Sequence, residues 1–145
     1  FNAPNSAVNM FVLRYVDALL LYAEALNESG DPSGAYAHLQ RIRSRAYNND
    51  PEGILEGAKT KENLTEWIRR ERWMELVHEG KRWFDLVRWG ILKERTFEHA
   101  ENESKFTNSF EAVQKLQIKD NFKDAMTLMP LPQDELDANL LLKQN

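Results

Sequence analysis

The chain has no cysteine. That excludes disulfides, thiolate zinc sites and cysteine nucleophiles within its 145 residues. Glycine and proline are sparse, at six and five residues. The glycines are scattered, so no glycine-rich phosphate loop can be assembled. Basic residues are not in excess: 19 Lys and Arg stand against 23 Asp and Glu, a formal net charge of -4. Phosphate backbones need a basic surface, which argues against nucleic acid as a partner. Long apolar runs are also missing. The stretch that starts at Ala18 and passes Tyr22 is far too short to span a bilayer. No Gly-x-Ser-x-Gly elbow exists, and Ser29, Ser33 and Ser44 lack the context of a catalytic serine. The sequence opens at Phe1 without a signal peptide and reads as a piece of a longer product. Any export or lipidation signal would then lie upstream.

What is present is ordinary for a globular chain: 42% hydrophobic and 29% charged residues. The length predicts a single domain over residues 1–145 with room for a core. Phe1 to Asn9, with Pro4 and no period, reads as a loop or frayed lead-in. From Val12 the apolar positions Val12, Val16, Leu19, Ala23 and Leu26 step by three and four, which predicts one face of a helix. Gly30 stops it. Asp31 as N-cap and Pro32 at the first helical position restart the chain. Ala35, Leu39, Ile42 and Ala46 then predict a second helical face. Ala23, Ala25 and Ala35 would let the two backbones approach. This helical pair, about 12–46, resembles a tetratricopeptide repeat, a helix–turn–helix unit of about 34 residues.

Asp50-Pro51, Gly53 and Gly57 predict a loop over 48–59. A third helix begins near Thr60 to Leu64 and runs through Trp67, Ile68, Trp73, Met74 and Val77. Gly80 allows a turn, and a fourth helix follows from Lys81 to about Arg95 with Phe84, Val87 and Ile91 inward. These make a second pair, about 61–95, of the same type. The tail 96–145 is loop-rich. Thr96 to Asn121 reads as a long polar excursion with a short helix around Phe110 to Leu116. Met129-Pro130-Leu131-Pro132 must be extended, because each proline drives its predecessor out of the helical region. Gln133 to Ala138 forms a short closing helix. The fold class is therefore all-α: helical hairpins of about four main helices, a long polar loop and a short C-terminal helix.

The densest chemistry is a charged ladder: Arg69, Arg70, Glu71, Arg72, Glu75, His78, Glu79, Lys81, Arg82, Asp85 and Arg88. Opposite charges fall three or four apart, as in Glu79–Arg82 and Asp85–Arg88, and Arg72 flanks Glu71 and Glu75. Such pairs support a helix by only about 0.2–0.5 kcal/mol each. Without a nucleophile or cofactor, a structural ion network that fixes how helices cross is the expected reading. Glu75-Leu76-Val77-His78 has the Glu-x-x-His step of di-iron bundles, but a second such step and two further carboxylates are missing; His38 and Glu98-His99 do not supply them. No metal or cofactor is expected. Trp67, Trp73, Trp83 and Trp89 crowd together and could cover sugar rings, yet aromatics in an amphipathic pair mostly pack inward. Trp83 fits a core role least well and is the one ligand-binding candidate.

Four blocks resemble, in order, the C-terminal portion of the SusD/RagB family. The first is Arg14-Tyr15-x-Asp17-x-Leu19-Leu20-x-Tyr22-Ala23-Glu24-Ala25. The second is Arg43-Ser44-Arg45-Ala46. The third runs without gaps through Glu71-Arg72, Glu75-Leu76, Glu79-Gly80, Arg82, Asp85-Leu86 and Arg88-Trp89-Gly90. The last is Pro130-x-Pro132-x-x-Glu135-x-x-x-Asn139 and the Gln144-Asn145 terminus. Two departures stand out: His78 replaces a common aromatic or apolar residue, and Leu140 replaces a common proline. The resemblance implies a tetratricopeptide-like scaffold within a lipid-anchored outer-membrane protein. Such a protein would bind oligosaccharide at the cell surface without catalysis and cover a TonB-dependent β-barrel transporter. It implies that the glycan is bound mainly by an upstream half, and that the anchor is an upstream cysteine. Arg14, Glu24, Glu71, Arg72, Glu75, Glu79, Gly80, Arg82, Asp85, Arg88, Trp89, Gly90, Pro132, Glu135 and Asn139 are then fold determinants. A protein–protein adaptor of tetratricopeptide type is the alternative and would call for further similar pairs. A glycoside hydrolase would need two carboxylates across a cleft.

Overall fold

The computed structural model describes residues 12–104, 117, 120–139 and 141–143. The lead-in Phe1 to Asn9, the helix expected around Phe110 to Leu116, Leu140 and the Gln144-Asn145 terminus lie outside those residues. Among the described residues the chain is helical and has no strand. It divides into two compact units, Phe1–Arg82 and Trp83–Asn145.

In the first unit, α1 spans Tyr15–Glu28, α2 spans Pro32–Ala46 and α3 spans Lys61–Glu75. Gly30 ends α1 at φ +91° while the Asp31 N–H bonds back to the Leu26 carbonyl. That is a Schellman closure, which needs a left-handed residue at this point. Asp31 then caps α2, its carboxylate accepting from the Gly34 N–H at 2.8 Å, and Pro32 opens the helix. Thr60 caps α3 by accepting from the Asn63 N–H.

The core of this unit is Val16, Leu20, Ala23, Ala35, Leu39, Ile42, Leu64, Ile68 and Leu76, with Leu19, Leu26 and Trp67 packed against it. Ala23 and Ala35 are fully buried where the hairpin backbones approach. The apolar faces are rotated relative to the simple periodic reading. Val12 precedes the helix and is 81% exposed, while Ala25 and Ala46 also face outward. Their places in the buried register are taken by polar residues: Asp17 and Asn27 on α1, and Arg43 on α2.

α3 does not continue the up–down alternation of the hairpin. The C-terminal end of α1 meets the start of α3, where Asn27 Nδ2 donates to the Lys61 carbonyl and to Thr65 Oγ1. The start of α1 meets the end of α3 through Arg14 and Glu75. α3 therefore runs antiparallel to α1 and in the same sense as α2. The connector 47–60 makes this return possible, and it is tied to α2 on the way. Arg43 Nε and Gln40 Nε2 donate to the Gly53 carbonyl, and Gln40 Oε1 accepts from the Leu55 N–H.

α3 ends at Glu75, earlier than the apolar pattern through Val77 suggests. Trp73, Met74 and Val77 are all exposed, Trp73 by 57%, whereas Glu71 and Arg72 are buried. The buried side of α3 is thus chosen by its ion pairs as much as by its apolar residues. Beyond it the chain turns through His78 at φ +64° and Gly80 at φ +69°.

In place of one helix from Lys81 to about Arg95 there are two: α4, Arg82–Arg88, and α5, Leu92–Ser104. Gly90 divides them at φ +69°, and the Ile91 N–H closes a Schellman bond to the Leu86 carbonyl. Asp85 and Leu86 are buried on α4, while Phe84 is 54% exposed. α5 also corrects the expected excursion, since residues 96–104 are helical rather than loop. Leu92 and Ala100 are buried at a spacing of eight. Thr96 lies between them and spends its hydroxyl on the Leu92 carbonyl. A polar residue in the middle of the stripe hides the period. Phe97 packs edge-on against Phe122, with ring centroids 5.8 Å apart. A 3-10 turn at Asp124–Thr127 precedes the extended Pro132, after which the closing helix spans Gln133–Ala138.

A Cβ at position 90 would be forced into the left-handed region. Gly90→Ala should therefore lower stability by about 1 kcal/mol. In a urea melt of the intact protein the midpoint should fall with the slope unchanged. An unmoved midpoint would mean that the turn tolerates a side chain.

Candidate functional site

The conspicuous site among the described residues is a network of ion pairs between helices. Its centre is the Arg72–Asp17 bridge: Arg72 Nη1 donates to Asp17 Oδ1 at 2.9 Å, with side chains only 3% and 4% exposed. Lys81 Nζ stands 3.4 Å from the other Asp17 oxygen and donates to the Val12 carbonyl. A second buried bridge joins α2 to α3, with Arg43 Nη1 donating to Glu71 Oε2 at 2.8 Å. The Arg43 guanidinium also lies 5.0 Å from the Tyr47 ring centroid.

Arg14 gathers the end of α3. Its Nη1 reaches Glu75 Oε1 at 3.2 Å, and its Nη2 reaches the Glu75 carbonyl at 2.7 Å and Glu79 Oε1 at 2.6 Å. The hydrogen bond that Arg14 donates to Glu79 raises the Arg14 pKa above its ordinary value; burial opposes this and Glu75 adds to it. Arg45 donates to the same Glu75 Oε1 at 2.6 Å. Four acids and bases of the family blocks (Arg14, Glu71, Arg72 and Glu75) thus converge on helix contacts, and Glu79 joins them just beyond α3. Their partners Asp17 and Arg43 stand in the family blocks as well, whereas Asn27, which bonds to Lys61 and Thr65, lies outside the blocks quoted above. The available signal is a polar residue set in the buried register of an otherwise apolar helix face.

Chemically, the arrangement is a set of matched charges. Buried charges are tolerated only when paired and hydrogen-bonded. Each acid here accepts from an arginine, which leaves it unsuited to act as a free base or nucleophile. The Glu75-x-x-His78 step is not a ligand pair on one helical face. Glu75 is the last residue of α3 and serves two arginines, and His78 lies past the helix end in a left-handed turn. Among the described residues no group of three or more His, Asp or Glu could hold a metal ion.

In the second unit the motif residues sit around the end of α4. Arg88 Nε donates to Asp85 Oδ1 at 3.0 Å, and its guanidinium lies 4.8 Å from the Trp89 ring centroid. Trp83 is half-buried and packs edge-on against Phe84, at 5.1 Å and 88°. Of the other tryptophans, Trp67 packs on the core and Trp73 is exposed, with the Arg82 guanidinium 6.0 Å from its ring. Aromatic burial therefore accounts for Trp67 and not for Trp73. Glu24 is half-buried on α1. Pro132 takes the N-cap place of the closing helix, the Glu135 carbonyl accepts from the Asn139 N–H, and Asn139 Oδ1 accepts from the Leu141 N–H.

These features define a class: an all-α scaffold of tetratricopeptide-like character whose helix crossings are set by buried ion pairs. The SusD family matches residues 2–145, and the chain belongs to that family. SusD-like protein P25 of Formosa agariphila is 30% identical over 99% of this chain, and SusD-like protein P2 of the same organism is 34% identical over 99%. The chain spans about a quarter of the length of these relatives, 25% and 26% respectively. The crystal structure of a SusD homolog from Bacteroides thetaiotaomicron superimposes with a TM-score of 0.80 at 30% identity. That match covers 99% of this chain and 29% of the homolog. A SusD superfamily protein from Bacteroides vulgatus gives a TM-score of 0.71 at 30% identity, over 97% of this chain and 28% of its own.

Removing one partner of a buried pair leaves the other charge uncompensated. Asp17→Leu or Arg72→Met alone should cost roughly 3 kcal/mol or more, and the Asp17→Leu/Arg72→Met double variant should recover most of the loss. Denaturant melts of the four proteins check this. Independent, additive losses would show that the bridge does not couple α1 to α3.

Proposed function

We propose that these residues form the C-terminal scaffold of a non-catalytic, cell-surface binding component of an outer-membrane glycan uptake system. In this reading the protein is held at the outer membrane by a lipid on a cysteine upstream of Phe1. It delivers oligosaccharide to a TonB-dependent β-barrel transporter. The observation that supports the reading is the match to the SusD family across residues 2–145. No described helix is long and apolar enough to cross a membrane, so attachment in this reading falls to the lipid.

The geometry supports a division of labour. Arg14, Glu71, Arg72 and Glu75 of the family motifs are spent on helix-to-helix pairing, so this portion supplies rigidity and part of the transporter-facing surface. The oligosaccharide is held mainly by residues upstream. A tetratricopeptide-type adaptor is the competing reading. Such adaptors stack similar hairpins into a continuous concave groove. Here α3 runs in the same sense as α2 and α4 is a short helix, which favours a built-in scaffold over a repeating array.

The test is to isolate the intact protein from native outer membranes and identify what co-purifies by mass spectrometry. A TonB-dependent β-barrel in stoichiometric amount is the expected result. Recovery of soluble proteins alone would transfer the function to the adaptor reading. Release of new reducing ends from an oligosaccharide would overturn the non-catalytic assignment.

A further inference from the structure

A cavity of about 450 Å³ opens between the first half of α1 and the last half of α2, within the first unit. Its floor is apolar, formed by Val16, Leu19 and Ile42, and its walls are Tyr15, Arg14, Arg41 and Arg45. The size falls within the range of small-molecule sites, roughly 300–1,000 Å³. No acid lines it.

Several features of this cavity favour a negative charge. Arg41 is exposed and makes no ion pair among the described residues; its guanidinium lies 5.9 Å from the Tyr15 ring centroid. Arg45 is 64% exposed and engages one carboxylate oxygen of Glu75. Arg14 has a buried Nε without an acceptor among the described residues. Buried N–H donors are normally satisfied, so this one is a donor in want of an oxygen. Arg14 is also the N-cap of α1 and offers no side-chain acceptor to the first turn. The Asp17 N–H bonds to the Arg14 carbonyl, and the positive end of the helix dipole stands beside the cavity. Tyr15, 67% exposed, presents an aromatic ring next to these cations. The neighbouring face continues with Tyr22, in edge-on contact with His38 at 4.9 Å.

We propose that this cavity is a subsite for a sugar ring bearing an anionic group, a carboxylate or a sulfate. The ring lies on Tyr15 and the apolar floor, and the anion is held by Arg41 and Arg45 at the start of α1. Arginine suits this task because its planar fork matches both oxyanions. The inference rests on the glycan-uptake reading and adds to it a preference for acidic over neutral sugars.

Isothermal titration of the intact protein with glucuronic acid, glucose 6-sulfate and glucose tests it. At least one of the acids should bind about tenfold or more tightly than glucose, and 0.5 M salt should weaken that binding. Whichever acid binds identifies carboxylate or sulfate as the anion. Arg41→Ala should lower that affinity about tenfold with an unchanged thermal melt, since Arg41 is exposed and outside the ion network. Arg41→Lys should restore part of it. Equal affinity for acid and neutral sugar, no binding of either acid, or indifference to Arg41→Ala would each overturn the proposal. Neutral oligosaccharide binding that is untouched by Arg41→Ala, alongside recovery of the transporter, would leave the uptake reading intact while removing the acidic subsite.

Discussion

The buried pair Asp17–Arg72 is the constraint on which the first helical unit depends. Both side chains are almost fully out of water, and the bond from Arg72 to Asp17 joins the start of α1 to the end of α3. A charge in that environment tolerates only one partner geometry, because any displaced arrangement leaves an unpaired ion in low dielectric. Apolar packing is less demanding: Leu20, Leu39, Leu64 and Ile68 could be buried in several helix registers. The ion pair selects among them. Arg43–Glu71 applies the same condition between α2 and α3, so the third helix is located by two independent bridges.

This division between apolar drive and ionic selection explains the direction of α3. A helix joined by a short turn would return antiparallel to α2. The connector 47–60 frees α3 from that rule, and its acids then find arginines near the C-terminal end of α2 and the N-terminal end of α1. The loop is not idle chain. Arg43 serves both the loop, through the Gly53 carbonyl, and α3, through Glu71. One guanidinium thus couples the path of the connector to the position of the helix that follows. The same economy appears at Glu75, where one carboxylate oxygen accepts from Arg14 and Arg45.

Scaffold and binding surface occupy different parts of the hairpin. Asp17, Asn27 and Arg43 face α3 or the connector and are spent on structure. Tyr15, Arg41 and Arg45 lie around the open cavity; Arg45 also reaches Glu75, whereas Arg41 makes no ion pair among the described residues. Asp17 and Arg43 belong to the family blocks, and so do Tyr15 and Arg45; Arg41 does not, and its place is explained by the local chemistry of the cavity.

Much of the fold was legible in the sequence because caps and turns are local. Gly30, Asp31-Pro32, Thr60 and Pro130-Leu131-Pro132 mark their boundaries through φ preferences and orphan N–H groups, which depend on a few neighbouring residues. The family blocks and the all-α class were legible for the same reason of close spacing. What the tertiary structure alone decided is which residues are inside. The apolar period placed Val12, Ala46, Trp73 and Phe84 inward, yet all are exposed, and Asp17, Arg43, Glu71 and Arg72 are buried in the helical unit. A charged residue enters the interior only when a partner distant in sequence meets it there. Asp17 and Arg72, or Arg43 and Glu71, become neighbours only once the helices have crossed.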